Sequence, residues 1–180
     1  MEGGFRLALS GTPGTGKSTI ASLLNGQGYT IISLESLANK YDCLGEVDSS
    51  DNSKPIDLEK LHHLLSIAWS KESESPIIID GHLSHQLPCD ATVILRCHPD
   101  ILQNRLENRD YSKEKIQGNV EWELIGGPWN DKDTPNGWLE LDTTEYNPNE
   151  IFNQIHNWII DGFKPTSEYT EIDWIGQMEE

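Results

Sequence analysis

Hydrophobic residues fall into two kinds of segment that follow one another along the chain. Short continuous apolar runs are typical of strands buried on both faces of a sheet, and they occupy residues 5–10, 29–33, 76–80, 91–96 and 138–142. Apolar residues with helical spacing occupy residues 17–24, 58–69, 100–108, 113–124 and 147–160. The alternation of the two kinds predicts an α/β fold, in which a parallel sheet carries helices on both of its faces.

Capping signals predict where two of these helices begin or end. The first helix is expected to stop before Asn25-Gly26, because this pair is typical of a helix C-terminus. The last helix opens with Asn147 as its N-cap and Pro148 at the first helical position, and Glu150 completes a capping box. The sequence therefore predicts both helices from local chemistry as well as from spacing.

Three polar stretches interrupt or follow the predicted elements. Residues 34–57 combine a short helix with the sequence EVDSSDNSKP, which we expect to be an exposed and mobile insert. Residues 126–137, GGPWNDKDTPNG, are expected to form a loop. The end of the chain is expected to be a tail anchored by Trp174 and Ile175. A length of 180 residues suits one domain.

The formal net charge of −17 restricts the partners that the protein is expected to bind. A negative surface repels phosphate backbones, so we expect no strong independent binding of nucleic acid. The charge fits two explanations, general solubility and attraction of a basic partner protein. Charge alone does not choose between them.

Membrane insertion and secretion are not expected. No apolar run approaches the ~20 residues of a membrane span, and the N-terminus MEGGFRLAL lacks the basic and long apolar regions of a signal peptide. The three cysteines (Cys43, Cys89 and Cys97) fit no metal-ligand spacing, so we expect reduced thiols. These features favour a cytoplasmic protein.

The stretch GTPGTGKS matches the phosphate-loop pattern G-x-x-x-x-G-K-[ST], with Gly11, Gly16, Lys17 and Ser18 at its defined positions. Glycines allow backbone N–H groups to wrap a polyanion closely, and the following helix N-terminus adds a partial positive charge. Lys17 is expected to reach the β- and γ-phosphates of ATP, and Ser18 to ligate Mg²⁺. Thr19 follows, where it can face the α-phosphate.

A second group of polar residues follows the strand at 76–80. Asp80 ends this strand and is expected to order the Mg²⁺ shell, with a simple turn residue as the alternative. His82 is a candidate to position a water or a phosphate oxygen, with a solvated loop histidine as the alternative. His82 and His85 also form an H-x-x-H pair, but without further ligands we do not expect a metal there.

Taken in order, GTPGTGKST, D-G-H, VILRCHPDILQNRLENRDYS and LELDTT resemble the small atypical adenylate kinases of the isoenzyme 6 type, which occur in archaea and eukaryotic nuclei. The resemblance covers residues 5–160. It implies a P-loop NTPase fold of the nucleoside-monophosphate-kinase type with a five-stranded parallel core. The implied parts are a core (1–33, 58–107 and 119–161), a monophosphate-binding insert (34–57), a short lid (108–118) and a tail (162–180).

The resemblance also implies a function. Members of this family bind ATP with Mg²⁺, use AMP as phosphoryl acceptor to form two ADP, and are associated with ATPase activity. They act in late maturation of the small ribosomal subunit, where they partner the basic platform protein that is eleventh in the small-subunit series.

Site residues carry over position by position. The implied nucleotide-binding set is Gly11, Gly14, Thr15, Gly16, Lys17, Ser18, Thr19 and Arg109. Asp80 and His82 match the pair needed for hydrolysis, and Ser18 with Asp80 forms the implied metal site. Arg109 matches the lid arginine that covers the phosphates, because a planar guanidinium bridges phosphoryl oxygens well. Arg105, four residues earlier on the same predicted helical face, is expected to assist.

Two departures from the family pattern affect the acceptor side. Asp110 follows the lid arginine, where the family often has glycine. The insert 34–57 contains no arginine, so only Lys40 and Lys54 are available to grip an incoming phosphate, with Asn39 near the expected arginine position. Three alternatives to AMP phosphorylation therefore stay open: ATP hydrolysis, a nucleotide-gated chaperone for a basic ribosomal protein, and a small-metabolite kinase.

Overall fold

Five parallel strands form one sheet in the order β2-β3-β1-β4-β5. A computed structural model describes residues 3–47, 54–109, 111–130, 137–145, 147–165 and 172–178. The strands are β1 (Arg6–Ser10), β2 (Thr30–Ser33), β3 (Ile77–Asp80), β4 (Ala91–Arg96) and β5 (Gly137–Asp142). All five predicted strands are confirmed. The chain order reverses direction at β1, and such a reversal leaves a crevice outside the carboxyl ends of the strands.

Helices connect the strands and cover the sheet. They are α1 (Lys17–Gly26), α2 (Leu34–Lys40), α3 (Leu58–Ala68), α4 (Pro99–Glu107), α5 (Lys113–Leu124), α6 (Gly127–Asn130), α7 (Pro148–Ile160) and α8 (Trp174–Met178). A single 3₁₀ turn, Ser84–Gln86, follows β3. In the described ranges, none of these helices has the length and apolarity that a membrane span needs.

The two faces of the sheet carry separate cores because successive side chains of a strand point in opposite directions. Leu7 and Leu9 of β1 pack with α1 and α7, whereas Ala8 between them packs with α2 and α3. The predicted arrangement with helices on both faces is therefore confirmed. Cys43, Cys89 and Cys97 are buried as free thiols.

The end of α1 differs from the sequence-based expectation. The helix continues through Asn25 and Gly26, with Gln27 as its C-cap. Gly28 has φ +93°, in the left-handed region that glycine adopts without steric cost. Its N–H donates to the Asn25 carbonyl at 2.9 Å. The helix therefore ends two residues later than predicted, since Gly28 and not Gly26 provides the reversal.

The predicted start of α7 is confirmed, with one change in its hydrogen bonds. The Asn147 side chain accepts from the Asn149 N–H, and Pro148 occupies the first turn. The Glu150 carboxylate accepts from the side-chain amide of Asn147 at 2.9 Å. In a capping box it would accept from the backbone N–H of Asn147 instead.

The polar stretches are partly ordered. An antiparallel bridge between Leu44 and Ile56 closes the base of the insert, while residues 48–53 lie outside the described residues. The segment 126–137 is predicted to be a loop, but its first part forms α6. Residues 131–136 lie outside the described residues. Trp174 anchors the tail with 3% of its surface exposed, whereas Ile175 is 47% exposed and contributes little to the anchor.

Candidate active site

The phosphate loop leaves β1 at the carboxyl edge of the sheet, beside the end of β3. Leu9 in β1 is in register with Asp80, the last residue of β3. Parallel pairing therefore places the acidic side chain next to the loop that begins two residues after Leu9. Sequence spacing alone predicted both features, and the sheet order brings them together.

Glycines shape the loop because its backbone adopts left-handed conformations. Gly11, Gly14 and Gly16 have φ of +135°, +99° and +95°. A Cβ at Gly11 would lie 2.3 Å from the Leu95 carbonyl oxygen, so no larger residue fits there. Backbone conformations of this kind allow a loop to turn its N–H groups toward an anion.

Lys17 is bound to the loop itself. Its Nζ donates to the carbonyl oxygens of Gly11 at 2.6 Å and Thr12 at 3.0 Å. The pKa of Lys17 is lowered to about 8, mainly by burial and also by the positive charge of Arg109, while the Asp80 carboxylate acts in the opposite direction. The negative charge of a bound polyphosphate would raise the pKa of Lys17 and would favour its protonated form.

His82 is neutral at physiological pH. Burial lowers its pKa to about 4, although its hydrogen bond to the Gly11 carbonyl acts in the opposite direction. The Trp122 ring packs edge-on against the imidazole, with ring centroids 6.4 Å apart. Loop and aromatic contacts therefore hold the ring in one orientation beside the phosphate loop.

A short hydrogen-bond chain supports the His82 backbone. The Ser10 hydroxyl donates to the His82 carbonyl at 2.6 Å and lies 2.8 Å from His85 Nδ1. Because the hydroxyl proton is used toward His82, His85 Nδ1 donates to the Ser10 oxygen. His85 thus has a structural partner, and among the described residues no group of three metal-ligating side chains occurs.

A cavity of about 810 Å³ opens in front of the loop. This is within the usual size range of small-molecule sites. Most of the predicted site residues line it: Gly14, Gly16, Lys17, Ser18, Thr19, Asp80, His82 and Arg109. The Ser18 hydroxyl and the Asp80 carboxylate are hard oxygen donors, the type that Mg²⁺ prefers. Burial raises the pKa of Asp80, whereas the Lys17 charge lowers it, so a bound cation would favour the ionised ligand.

The sequence of this chain is similar to those of known proteins. The AAA domain family matches residues 7–126. A Pyrococcus abyssi protein named "Putative adenylate kinase" is 38% identical over 160 residues, covering 88% of this chain and 86% of that protein. An Archaeoglobus fulgidus protein of the same name is 34% identical over 177 residues, covering 97% of this chain and 94% of that protein. The chain belongs to this adenylate-kinase-like family.

Solved structures of P-loop kinases share the fold at low sequence identity. A deoxyadenosine kinase from M. mycoides aligns with a TM-score of 0.53 and 18% identity, covering 88% of this chain and all of that one (100%). Shikimate kinase from Acinetobacter baumannii aligns with a TM-score of 0.57 and 12% identity, covering 89% and 96%. The adenylate-kinase-like chain therefore has the P-loop kinase fold that its sequence predicted.

The insert of this adenylate-kinase-like protein forms the other side of the cavity. Leu34 and Glu35 at the start of α2, and Lys54 with Ile56 at the end of the insert, line it. Lys40 is not among these lining residues, and its Nζ lies over the Tyr41 ring, 5.7 Å from the centroid. Within the part of the insert that the structure describes, Lys54 is thus the cation that faces the cavity.

Three predicted site residues of the described loop and α4 are not among the residues that line the cavity: Gly11, Thr15 and Arg105. Gly11 contributes its carbonyl to Lys17 and His82, and the Thr15 hydroxyl donates to the Thr12 carbonyl at 2.9 Å. The Arg105 guanidinium donates to the Thr143 carbonyl at 2.7 Å and approaches the Gly14 carbonyl at 3.5 Å. These contacts favour a supporting role for Arg105, which was predicted to assist Arg109. The shared helical face was wrong, because α4 ends at Glu107 and Arg109 lies beyond it.

A buried ionic cluster lies behind the loop and was not predicted from the sequence. Arg96 at the end of β4 and Glu123 near the end of α5 are both fully buried and form an ion pair at 2.7 Å. Glu140 of β5 is the second carboxylate partner of Arg96. Burial alone would lower the pKa of Arg96, but the two carboxylates outweigh it and raise that pKa. The sequence feature that could have indicated it is the arginine at the end of the mainly apolar strand ATVILR.

Proposed function

We propose that this protein transfers the terminal phosphoryl group of ATP to AMP and so forms two ADP. One cavity carries the proposal, since residues of the phosphate loop and of the described part of the insert both line it. A donor held by Lys17 and an acceptor held near Lys54 would share that space. The names of the Pyrococcus abyssi and Archaeoglobus fulgidus relatives support the same reaction.

In this proposal, positioning and charge stabilisation provide the catalysis, as in other phosphoryl transfers. Loop N–H groups and Lys17 hold the donor phosphates, and Arg109 stabilises the charge that spreads over the transferring group. Ser18 and Asp80 would hold Mg²⁺, which supplies neutralising charge to the phosphate oxygens when bound. The acceptor phosphate of AMP does not need a strong base, because its oxygens are already ionised and nucleophilic at neutral pH.

Hydrolysis of ATP is a second candidate activity, favoured by the state of His82. Its Nδ1 donates to the Gly11 carbonyl, so its other ring nitrogen, Nε2, is an acceptor, and His82 lines the cavity. A neutral imidazole in this state can accept a proton from a water and orient it. Kinase and ATPase activity are compatible in one site, since AMP and water would compete for the same phosphoryl group.

A role in maturation of the small ribosomal subunit completes the proposal. The net charge of −17 supports a basic protein partner, and the resemblance of the motifs suggests the platform ribosomal protein. A co-purification experiment with that protein, at low and high salt and with and without ATP, tests this part. Binding that is equal for an unrelated basic protein would contradict it.

A bisubstrate analogue tests the kinase proposal without turnover. Two adenosines joined by five phosphates would occupy the donor and acceptor positions together, so one analogue should displace both labelled ATP and labelled AMP. Lys54→Ala is expected to weaken the analogue and AMP but not ATP, with Lys40→Ala as the matched control. If the analogue displaces ATP but leaves AMP bound, or if AMP does not bind at all, the acceptor assignment is wrong.

A further inference from the structure

One carboxylate connects the phosphate loop to the C-terminal tail. Oε2 of Glu123 accepts from the Thr12 hydroxyl, at the second position of the loop, at 2.5 Å. Oε1 accepts from the Trp174 indole N–H at 3.2 Å, and also from the backbone N–H of Cys97 at 3.0 Å. Loop and tail therefore bind opposite oxygens of the same side chain.

Arg96 fixes the orientation of that carboxylate. Its Nε donates to Glu123 Oε1 at 2.7 Å, and an Nη donates to the Glu123 backbone carbonyl at 2.8 Å. The guanidinium also lies 5.9 Å from the Trp174 ring centroid and 3.4 Å from the Ile172 carbonyl. The tail thus contacts the ionic cluster, in which Arg96 and Glu123 are fully buried.

Thr12 transmits the position of Glu123 to the atoms that hold the catalytic side chains. The Thr12 carbonyl accepts from Lys17 Nζ at 3.0 Å, and the neighbouring Gly11 carbonyl binds both Lys17 and His82. Trp122, adjacent to Glu123 in α5, packs on the His82 ring. A shift of Glu123 would therefore move the loop carbonyls and the imidazole contact together.

We propose that Glu123 is a positioning residue that couples docking of the tail segment 172–178 to the nucleotide-binding shape of the phosphate loop. Nucleotide in the loop favours the docked tail, and the docked tail favours nucleotide binding, because the coupling free energy is the same in both directions. The surface of the tail becomes nucleotide-sensitive without contacting the nucleotide. A partner that pulls the tail away would lower the affinity for ATP.

A double-mutant cycle on ATP affinity tests the coupling. Thr12→Val removes the loop hydroxyl and is expected to weaken ATP binding about tenfold, while Thr12→Ser retains the bond and most of the affinity. Trp174→Phe removes the indole N–H together with part of the ring, keeps an aromatic side chain, and should weaken binding about threefold. Trp158→Phe is the matched control, since it removes a buried indole donor to Lys164 far from Glu123 and should not change ATP affinity.

The combined Thr12→Val, Trp174→Phe variant distinguishes coupling between the two sites from two independent losses of ATP affinity. If Glu123 carries the coupling, the double variant binds ATP better than the product of the two single effects, by about threefold. Strict additivity would overturn the proposal. Glu123→Ala is unsuitable for this purpose, because the buried Arg96 would lose one of its two carboxylate partners and the chain is expected to be strongly destabilised.

Amide hydrogen exchange provides the reciprocal measurement on the wild-type protein. Saturation with ATP and Mg²⁺ should slow exchange in residues 172–178, and Thr12→Val should abolish that protection while Thr12→Ser keeps it. Equal exchange with and without nucleotide would overturn the proposal. Because neither readout requires an acceptor, failure here leaves AMP phosphorylation open, whereas absence of ATP binding would refute the proposed function itself.

Discussion

Nδ1 of His82 lies 3.1 Å from the carbonyl oxygen of Gly11, the first residue of the phosphate loop. A carbonyl oxygen only accepts, so Nδ1 carries the ring proton and Nε2 of the neutral ring is an acceptor. This relationship links the proposed water-orienting group to the conformation of the loop. It also determines how His82 variants should behave.

Loss of the imidazole should affect hydrolysis more than ATP binding. His82→Ala is expected to lower the rate of phosphate release about 100-fold, because the water loses its acceptor. ATP affinity should change by less than about threefold, since Lys17 and the loop N–H groups remain. Phosphate release and equilibrium ATP binding are measured on the same samples. His63→Ala, on the exposed side of α3, is the control, and normal turnover in His82→Ala would remove the assigned role.

The depressed pKa of His82 should appear in the pH dependence of stability. The folded pKa is about 4 and the ordinary value is 6.5. Between these values the unfolded chain binds a proton that the folded chain does not, so stability falls as the pH falls from 6.5 toward 4. Urea unfolding of wild-type protein and His82→Ala at about pH 7 and pH 4.5 isolates this contribution.

The wild type should lose about 2–3 kcal/mol more than the variant between these two pH values. An equal loss in both proteins would show that His82 titrates normally.

Arg109 should contribute to the transition state more than to binding. It lines the cavity and its charge acts on Lys17. Arg109→Ala is expected to lower kcat for ADP formation about 100- to 1000-fold with a much smaller change in KM for ATP. Arg109→Lys keeps the charge but loses the planar fork, so it should recover only part of the rate. Steady-state kinetics check this, and a change confined to KM would contradict it.

The two lysines of the insert should differ. Lys54 faces the cavity, whereas Lys40 lies over the Tyr41 ring. Lys54→Ala is therefore expected to raise KM for AMP about tenfold and to leave KM for ATP unchanged, since one charge-assisted phosphate contact is lost. Lys40→Ala should resemble the wild type. Equal effects of the two substitutions would mean that the charge of the insert, and not a specific contact, attracts AMP.

Local patterns predicted the elements of this fold well, because each strand and most helices carry their own periodicity. The runs PIIID and ATVILR are predicted to be buried strands because they are short and continuously apolar. The phosphate loop is predicted from the positions of its glycines. The end of α1 was wrong by two residues because Gly26 and Gly28 are equally suitable from sequence, and only the backbone shows which one reverses.

Long-range partners were the part that the sequence did not predict. Arg96 and Glu123 are 27 residues apart and belong to different elements, so no spacing rule pairs them. Arg105 and Arg109 looked equivalent on one helical face. The Arg105 guanidinium instead donates to the backbone near Thr143, while Arg109 lines the cavity. Such differences arise from packing between elements, which periodicity does not encode.

Product stoichiometry tests the central claim most directly. Wild-type protein is incubated with ATP and Mg²⁺ while AMP is increased, and ATP, ADP, AMP and free phosphate are followed together, with Lys17→Met as the inactive control. The proposal predicts that AMP disappears and that two ADP form for each ATP consumed, with phosphate release falling as AMP rises. Constant phosphate release with AMP unconsumed would contradict the claim, and would show that the cavity transfers phosphate to water alone.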